Sequence, residues 1–120
     1  RDDVESRGLG DVYKRQPCAV IVCADTDEAW TRQYDGKTIG DIDASIVTDH
    51  MMLAAASLGL DTLWICMFKP EAVREEFALP ANVEPVNILL VGYGDGIPAD
   101  PERHDTLRKP LSATVFHETF

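Results

Sequence analysis

Few side chains in this sequence are of the types that act as nucleophile, base or metal ligand. Cys18, Cys23, Cys66 and His50 could bind a transition metal, but Cys18 and Cys23 stand five residues apart. An odd offset puts them on opposite faces of an extended strand, so joint ligation would need a break there. Core cysteines are the better reading, and no metal site is expected. His50 follows Asp49 in a stretch of helical character, where a satisfied polar pair is favoured over a catalytic base. Ser45, Thr48 and His117 offer no arrangement of nucleophile, base and orienting group. No catalytic side chain is assigned. A lone arginine is ordinarily a solvated surface charge. Yet Arg108 beside Lys109 stands out in a chain with 11 basic residues against 21 acidic ones.

That balance, a net charge of −10, opposes nucleic-acid binding, which rests on neutralising phosphates. The length of 120 residues leaves room for one small domain at most. A hydrophobic share of 45% is that of an ordinary globular protein. No apolar run approaches the roughly 20 residues a membrane helix needs, so no membrane partner is expected. No secretory core is visible at the N-terminus. Three scattered cysteines make no disulfide framework and favour a reducing cytoplasm.

Residues 1 to 16, RDDVESRGLGDVYKRQ, have no apolar periodicity and stop abruptly before a clean strand pattern. The tract SRGLGDVYKRQ looks like the in-frame translation of a transposase adapter used in preparing sequencing libraries. The alternative is a natural basic-acidic tail. As a non-native segment it is excluded from fold reasoning. It holds four basic and four acidic side chains, so residues 17 to 120 keep the net charge of −10. On this reading the native chain began upstream, and its first part is missing.

From Pro17 the pattern alternates between strands and helices. Pro17 to Ala24 is a short apolar run suited to a buried strand. Asp25 to Gly40 reads as a loop, with a helical turn around Glu28 to Trp30. A helix fits Asp41 to Leu58, capped by Asp41 or Gly40, with Asp41 and Asp43 at the positive end of its dipole and Gly59 as a left-handed stop. Its second half, MMLAAASL, is apolar on almost every face and must be buried, inside the domain or against a partner. Thr62 to Phe68 is a second strand. Pro70 opens a helix through PEAVREEFAL, with Glu71 beside it. Pro85 to Tyr93 is a third strand, a Gly/Pro-rich stretch runs on to Pro101, and the tail LRKPLSATVFHETF is extended. Three strands cannot cover such a helix, and their edges are left open. Residues 17 to 120 therefore read as an incomplete fold, completed by a missing N-terminal half and a second subunit.

Four segments carry a resemblance, in order and in spacing. VIVCADTDEAWTRQYDGKTIGDIDASIVTDHMMLAAASLGL, residues 20 to 60, resembles the strand, loop and central interface helix of compact nitroreductases. DTLWICMFKPEAVREEFALP resembles the strand that passes the flavin ring and the helix after it. VEPVNILLVGYGDGIPA is similar to the following strand and its glycine-tyrosine ending, and RKPL to the basic motif of the C-terminal segment. The resemblance implies an α+β fold, a mixed sheet flanked by helices. It also implies a homodimer with flavin mononucleotide (FMN) in each interface cleft. Hydride then passes from NADH or NADPH to the flavin and on to a nitroaromatic, quinone or other small-molecule acceptor.

The same resemblance places Trp64, Ile65, Cys66 and Met67 on the segment whose backbone passes the ring edge. On pattern alone they are simply a buried apolar strand. It places Arg108 at the flavin phosphate, where a planar fork suits bidentate contact. Arg103 is a second candidate there, without a fixed spacing to support it. The family's N-terminal arginine-serine-rich phosphate motif and its early flavin-contacting asparagine have no counterpart. Much of the cofactor site is thus expected to be absent from this chain, leaving an inactive fragment. The competing readings are a flavin-binding or dimerisation module without catalysis, and another reaction, such as dehalogenation or dehydrogenation, on the same fold.

Overall fold

The computed structural model of the chain describes residues 18–120, so the reading of residues 1 to 16 as foreign lies outside the described residues. Three strands, β1 (Cys18–Asp25), β2 (Asp61–Ile65) and β3 (Val83–Gly92), form one sheet in the order β1-β3-β2. Both pairings are antiparallel, with Val22 opposite Asn87 on one side of β3 and Trp64 opposite Leu89 on the other. A bulge at Val22/Cys23 shifts the register of β1. The α+β class expected from the sequence is the one adopted, and the sheet among the described residues is antiparallel throughout.

β3 is central, and helices cover both of its faces, which is why VNILLVG is apolar almost without alternation. On one face Ile88 and Leu90 meet Ile65 of β2 and Val73 of helix α2 (Pro70–Phe77), with Ile21, Phe68 and Leu79 around them. On the other, helix α1 (Gly40–Ser57) lies across the sheet on a stripe of buried Gly40, Ala44, Thr48 and Ala55. Leu89 and Leu90, neighbours that point to opposite faces, are both fully buried.

The helix ends follow local rules with one exception. α1 stops in a Schellman arrangement. Leu60 N–H donates to Ala55 O at 2.9 Å and Gly59 N–H to Ala56 O at 3.0 Å, with Gly59 at φ 76°. The exception is its start: Ile39 occupies the cap position with no side-chain bond, in place of the expected Asp41 or Gly40. A Cβ on Gly40 would stand 2.9 Å from Ala24 Cβ, so Gly40 serves close approach to β1 instead. Pro70 opens α2 as expected.

Further boundaries differ from expectation, among them that of β3, which begins at Val83 rather than Pro85 and ends at Gly92 rather than Tyr93. β2 ends at Ile65 rather than Phe68. Phe68 N–H donates to Cys66 O at 3.1 Å, a tight turn that brings Phe68 back onto the core before the extended Lys69 and Pro70. The tail is not extended: it holds a short helix α3 (Arg103–Leu107) and a 3-10 turn (Leu111–Ala113). The helical turn expected near Glu28 is present, with Ala29 N–H donating to Asp25 O at 2.9 Å. No helix among the described residues is long and apolar enough to cross a membrane.

Candidate functional site

The segment after β2 places its residues unequally. Ile65 is part of the core, Trp64 is half-buried, and Cys66 and Met67 are exposed. Their placement follows from β2 itself. Ile65 still pairs with Ile88 of β3, whereas residues 66 to 69 have left the ladder. The end of β2 thus offers a backbone free of strand pairing, flanked by apolar side chains. A planar apolar group lying against such an edge could meet main-chain donors and acceptors, with Lys69 as the charged side chain of the segment. That the four residues form one buried strand is correct for Ile65 and incorrect for Cys66 and Met67.

Arg108 follows α3, and its backbone N–H donates to His104 O at 3.2 Å. Among the described residues its guanidinium makes no ion pair. Two other cations of this acidic chain are engaged: Arg32 with Asp35, and Arg74 with Glu84 at 2.7 Å. The Arg108 guanidinium, aided by partial burial and by Arg103, holds the His104 imidazole below its ordinary range. The same stretch carries Asp100, Glu102 and Asp105, so acidic and basic side chains alternate around Arg108. Arg103 points back along the chain, donating from Nη1 to Asp100 O at 2.9 Å.

The structure does not bring Arg108 to the end of β2. Because β3 runs antiparallel to β2, the chain leaves the sheet beside Asp61, whose Oδ2 accepts from Gly94 N–H at 2.7 Å. Asp61 is the opposite end of β2 from Cys66. The tail beyond has exposed Ile97, Leu107, Leu111 and Phe120 and only His104 half-buried, so it finds no core in its own chain.

Other candidates are placed differently from expectation. The cysteines are not core residues: Cys18 and Cys66 are exposed and Cys23 is intermediate. The reason is that Cys18 opens an edge strand and Cys66 follows the end of another. Burial pushes the Cys23 thiol up, partly offset by Arg74. No group of three metal-ligating side chains occurs among the described residues. Asp49 and His50, expected as a satisfied pair, are both exposed on the outer side of α1, and adjacent helical residues do not face each other. Ser45 and Thr48 hydroxyls donate back to Asp41 O and Ala44 O, each at 2.7 Å, an ordinary helical use of those groups.

Sequence reasoning missed a buried polar contact: Asn87 Nδ2 donates to Thr48 Oγ1 at 3.0 Å. The signal was available, since Asn87 is a single amide inside an apolar strand. It also missed the tie between β1 and the turn before β3, where Asp25 Oδ1 accepts from Asn82 Nδ2 at 2.9 Å and from Asp27 N–H at 3.0 Å.

Comparison with known proteins adds the following. The model of the nitroreductase family matches residues 3–93. The match covers all three strands, α1 and α2. It also takes in most of the segment read as foreign, and it stops short of Arg108. A protein of Methanothermobacter thermautotrophicus assigned as an NADH dehydrogenase/NAD(P)H nitroreductase is 31% identical, over 82% of this chain and 54% of its own length. A solved nitroreductase family protein from Clostridium difficile 630 superposes with a TM-score of 0.85 at 56% identity, covering 90% of this chain and 63% of that one. An FMN-dependent nitroreductase from Clostridium difficile R20291 shares the fold, with a TM-score of 0.73 at 24% identity over 96% of this chain and 65% of that one. The chain spans about half the length of the curated relatives it matches.

Proposed function

The chain belongs to the nitroreductase family, and from that premise we propose that it is part of a homodimeric oxidoreductase. Hydride passes from NADH or NADPH, by way of FMN, to a nitroaromatic, quinone or similar small-molecule acceptor. The observation that carries the reading is the family match across the whole sheet and both of its helices. The assigned name of the archaeal relative supports the nicotinamide donor, and that of the second Clostridium difficile protein supports the flavin.

The residues present fit the cofactor in type. The chain that leaves the ladder after Ile65 would orient the ring edge through its backbone, with Trp64 and Met67 beside it. Arg108 holds the phosphate, for which its planar fork is suited. When bound, the flavin supplies the acceptance and donation of hydride, which is why no acid or base of this chain needs a catalytic role.

The chain leaves the sheet toward Arg108 at the Asp61 end of β2, away from Cys66. Five residues of β2 separate the Asp61 exit from Cys66, about 16 Å of strand. This separation supports a second reading for the 120-residue chain alone, as a flavin-binding or dimerisation module without turnover. The protein extended to its relatives' length and loaded with FMN separates the two. Anaerobic NADH or NADPH should bleach the flavin and a nitroaromatic should restore it, while the 120-residue chain does neither. Absence of bleaching in the extended protein would overturn the enzyme reading and leave the module.

A further inference from the structure

The fully buried positions of α1 are small residues, Gly40, Ala44, Thr48 and Ala55, with the unbranched side chains of Met51 and Met52 half-buried among them. Small side chains let a helix come close to a sheet, and methionines adapt to the gap they meet, so neither interlocks in one fixed position. The opposite side mixes exposed Ile42, Ile46 and Leu53 with the exposed polar groups of Asp49 and His50. Burial therefore sets the rotation of this helix, since turning it would bury Asp49, but discriminates poorly between axial positions along the sheet. Gly40 sets how near α1 lies to β1, not where along the sheet its other turns fall.

One directional contact is present. Asn87 and Thr48 are both 0% exposed and are the buried polar residues of the described chain. The Thr48 hydroxyl spends its hydrogen on Ala44 O at 2.7 Å, which leaves an oxygen lone pair for Asn87 Nδ2 at 3.0 Å. Asn87 in turn sits mid-way along β3, held by ladder partners on both sides. Asn87 Oδ1 meets no protein donor. An unmet buried acceptor costs at least as much as one neutral hydrogen bond returns, so the pair adds direction rather than net stability.

We propose that the Asn87–Thr48 hydrogen bond is a registry lock: it fixes the axial position of α1 on the sheet, and so places the outer row Ile42, Ile46 and Leu53. Asn87 and Thr48 are positioning residues in this account. The lock needs neither a bound flavin nor a partner subunit, so it stands or falls apart from the functional reading.

Amide hydrogen exchange across Gly40–Ser57 and across Val83–Gly92, read beside the urea midpoint, tests it. Thr48→Val keeps volume and removes the hydroxyl; Thr48→Ser keeps the hydroxyl and removes a methyl. Ordinary packing makes Ser the worse substitution. The lock predicts the reverse in α1: Val speeds its exchange about tenfold beyond what the midpoint accounts for, with β3 still protected, and Ser does not. The double variant Asn87→Leu/Thr48→Val removes both polar groups. It should fold with a midpoint no lower than that of Thr48→Val, yet keep the fast exchange in α1. Protection of α1 that follows the midpoint in every variant, or is worse in Ser than in Val, overturns the proposal. Should Thr48→Val fail to fold, the Ser and double variants still decide.

Discussion

Asp25 shows how a single side chain ties the loop after β1 to the rest of the molecule. Its carboxylate accepts from Asn82 Nδ2 and from Asp27 N–H, and these bonds hold its pKa below the usual carboxylate range. A folded pKa below the unfolded one means the contribution is present above the unfolded value. It is lost as pH falls through the folded value, so the window lies below about pH 4. Asp25→Asn should lower the urea midpoint at neutral pH and lose less than the wild type on acidification. Asp35, lowered by Arg32, adds a similar slope that the substitution leaves in place. Equal losses in variant and wild type would show that Asp25 has no part in it. The carboxylate was visible in the sequence but its partner was not, because Asn82 is 57 residues away. The cysteines were misplaced for a related reason. Apolar character reads from the sequence, whereas the exposure of an edge strand depends on which strand is central.

At the scale of elements, local chemistry was legible and boundaries set by neighbours were not. The span of α1 and its Gly59 stop follow from sequence, as does Pro70 at the start of α2. The end of β2 does not, because it depends on where β3 stops pairing and where Phe68 finds the core. The cap of α1 was misjudged because Gly40 reads as a capping residue while its task is contact with Ala24. Gly40→Ala tests that task. A methyl forced to 2.9 Å from Ala24 Cβ should cost about 1–3 kcal/mol as overpacking, read by urea unfolding. Alanine otherwise favours a helix over glycine, so a stabilised variant would show that the close approach yields freely.

At the scale of the molecule, the apolar row of α1, the outer edges of β1 and β2 among the described residues, and an unpacked tail all face outward. The sequence anticipated the open edges and the apolar helix, but not that a chain described alone would leave Leu53 63% exposed. Leaving each such side chain in water forfeits roughly 1.5–3 kcal/mol. In the homodimer proposed here, the outer row of α1 is the contact. Leu53→Glu should then shift the extended protein from dimer to monomer in sedimentation at micromolar concentration. A dimer unaffected by that charge would place the interface elsewhere.

In the flavin site proposed here, Arg108 holds the phosphate and the end of β2 meets the ring. Flavin fluorescence titration of the extended protein, wild type against Arg108→Ala, tests it with two ligands that differ only in the phosphate. A charge-assisted hydrogen bond is worth about 1.5–3 kcal/mol, so the Kd for FMN should rise about tenfold to a hundredfold. Riboflavin, which has the ring and no phosphate, should bind variant and wild type alike. Salt should narrow the FMN difference, since Arg108 is exposed and screening acts on accessible charge. Equal weakening of both ligands, or no change in either, would contradict the claim.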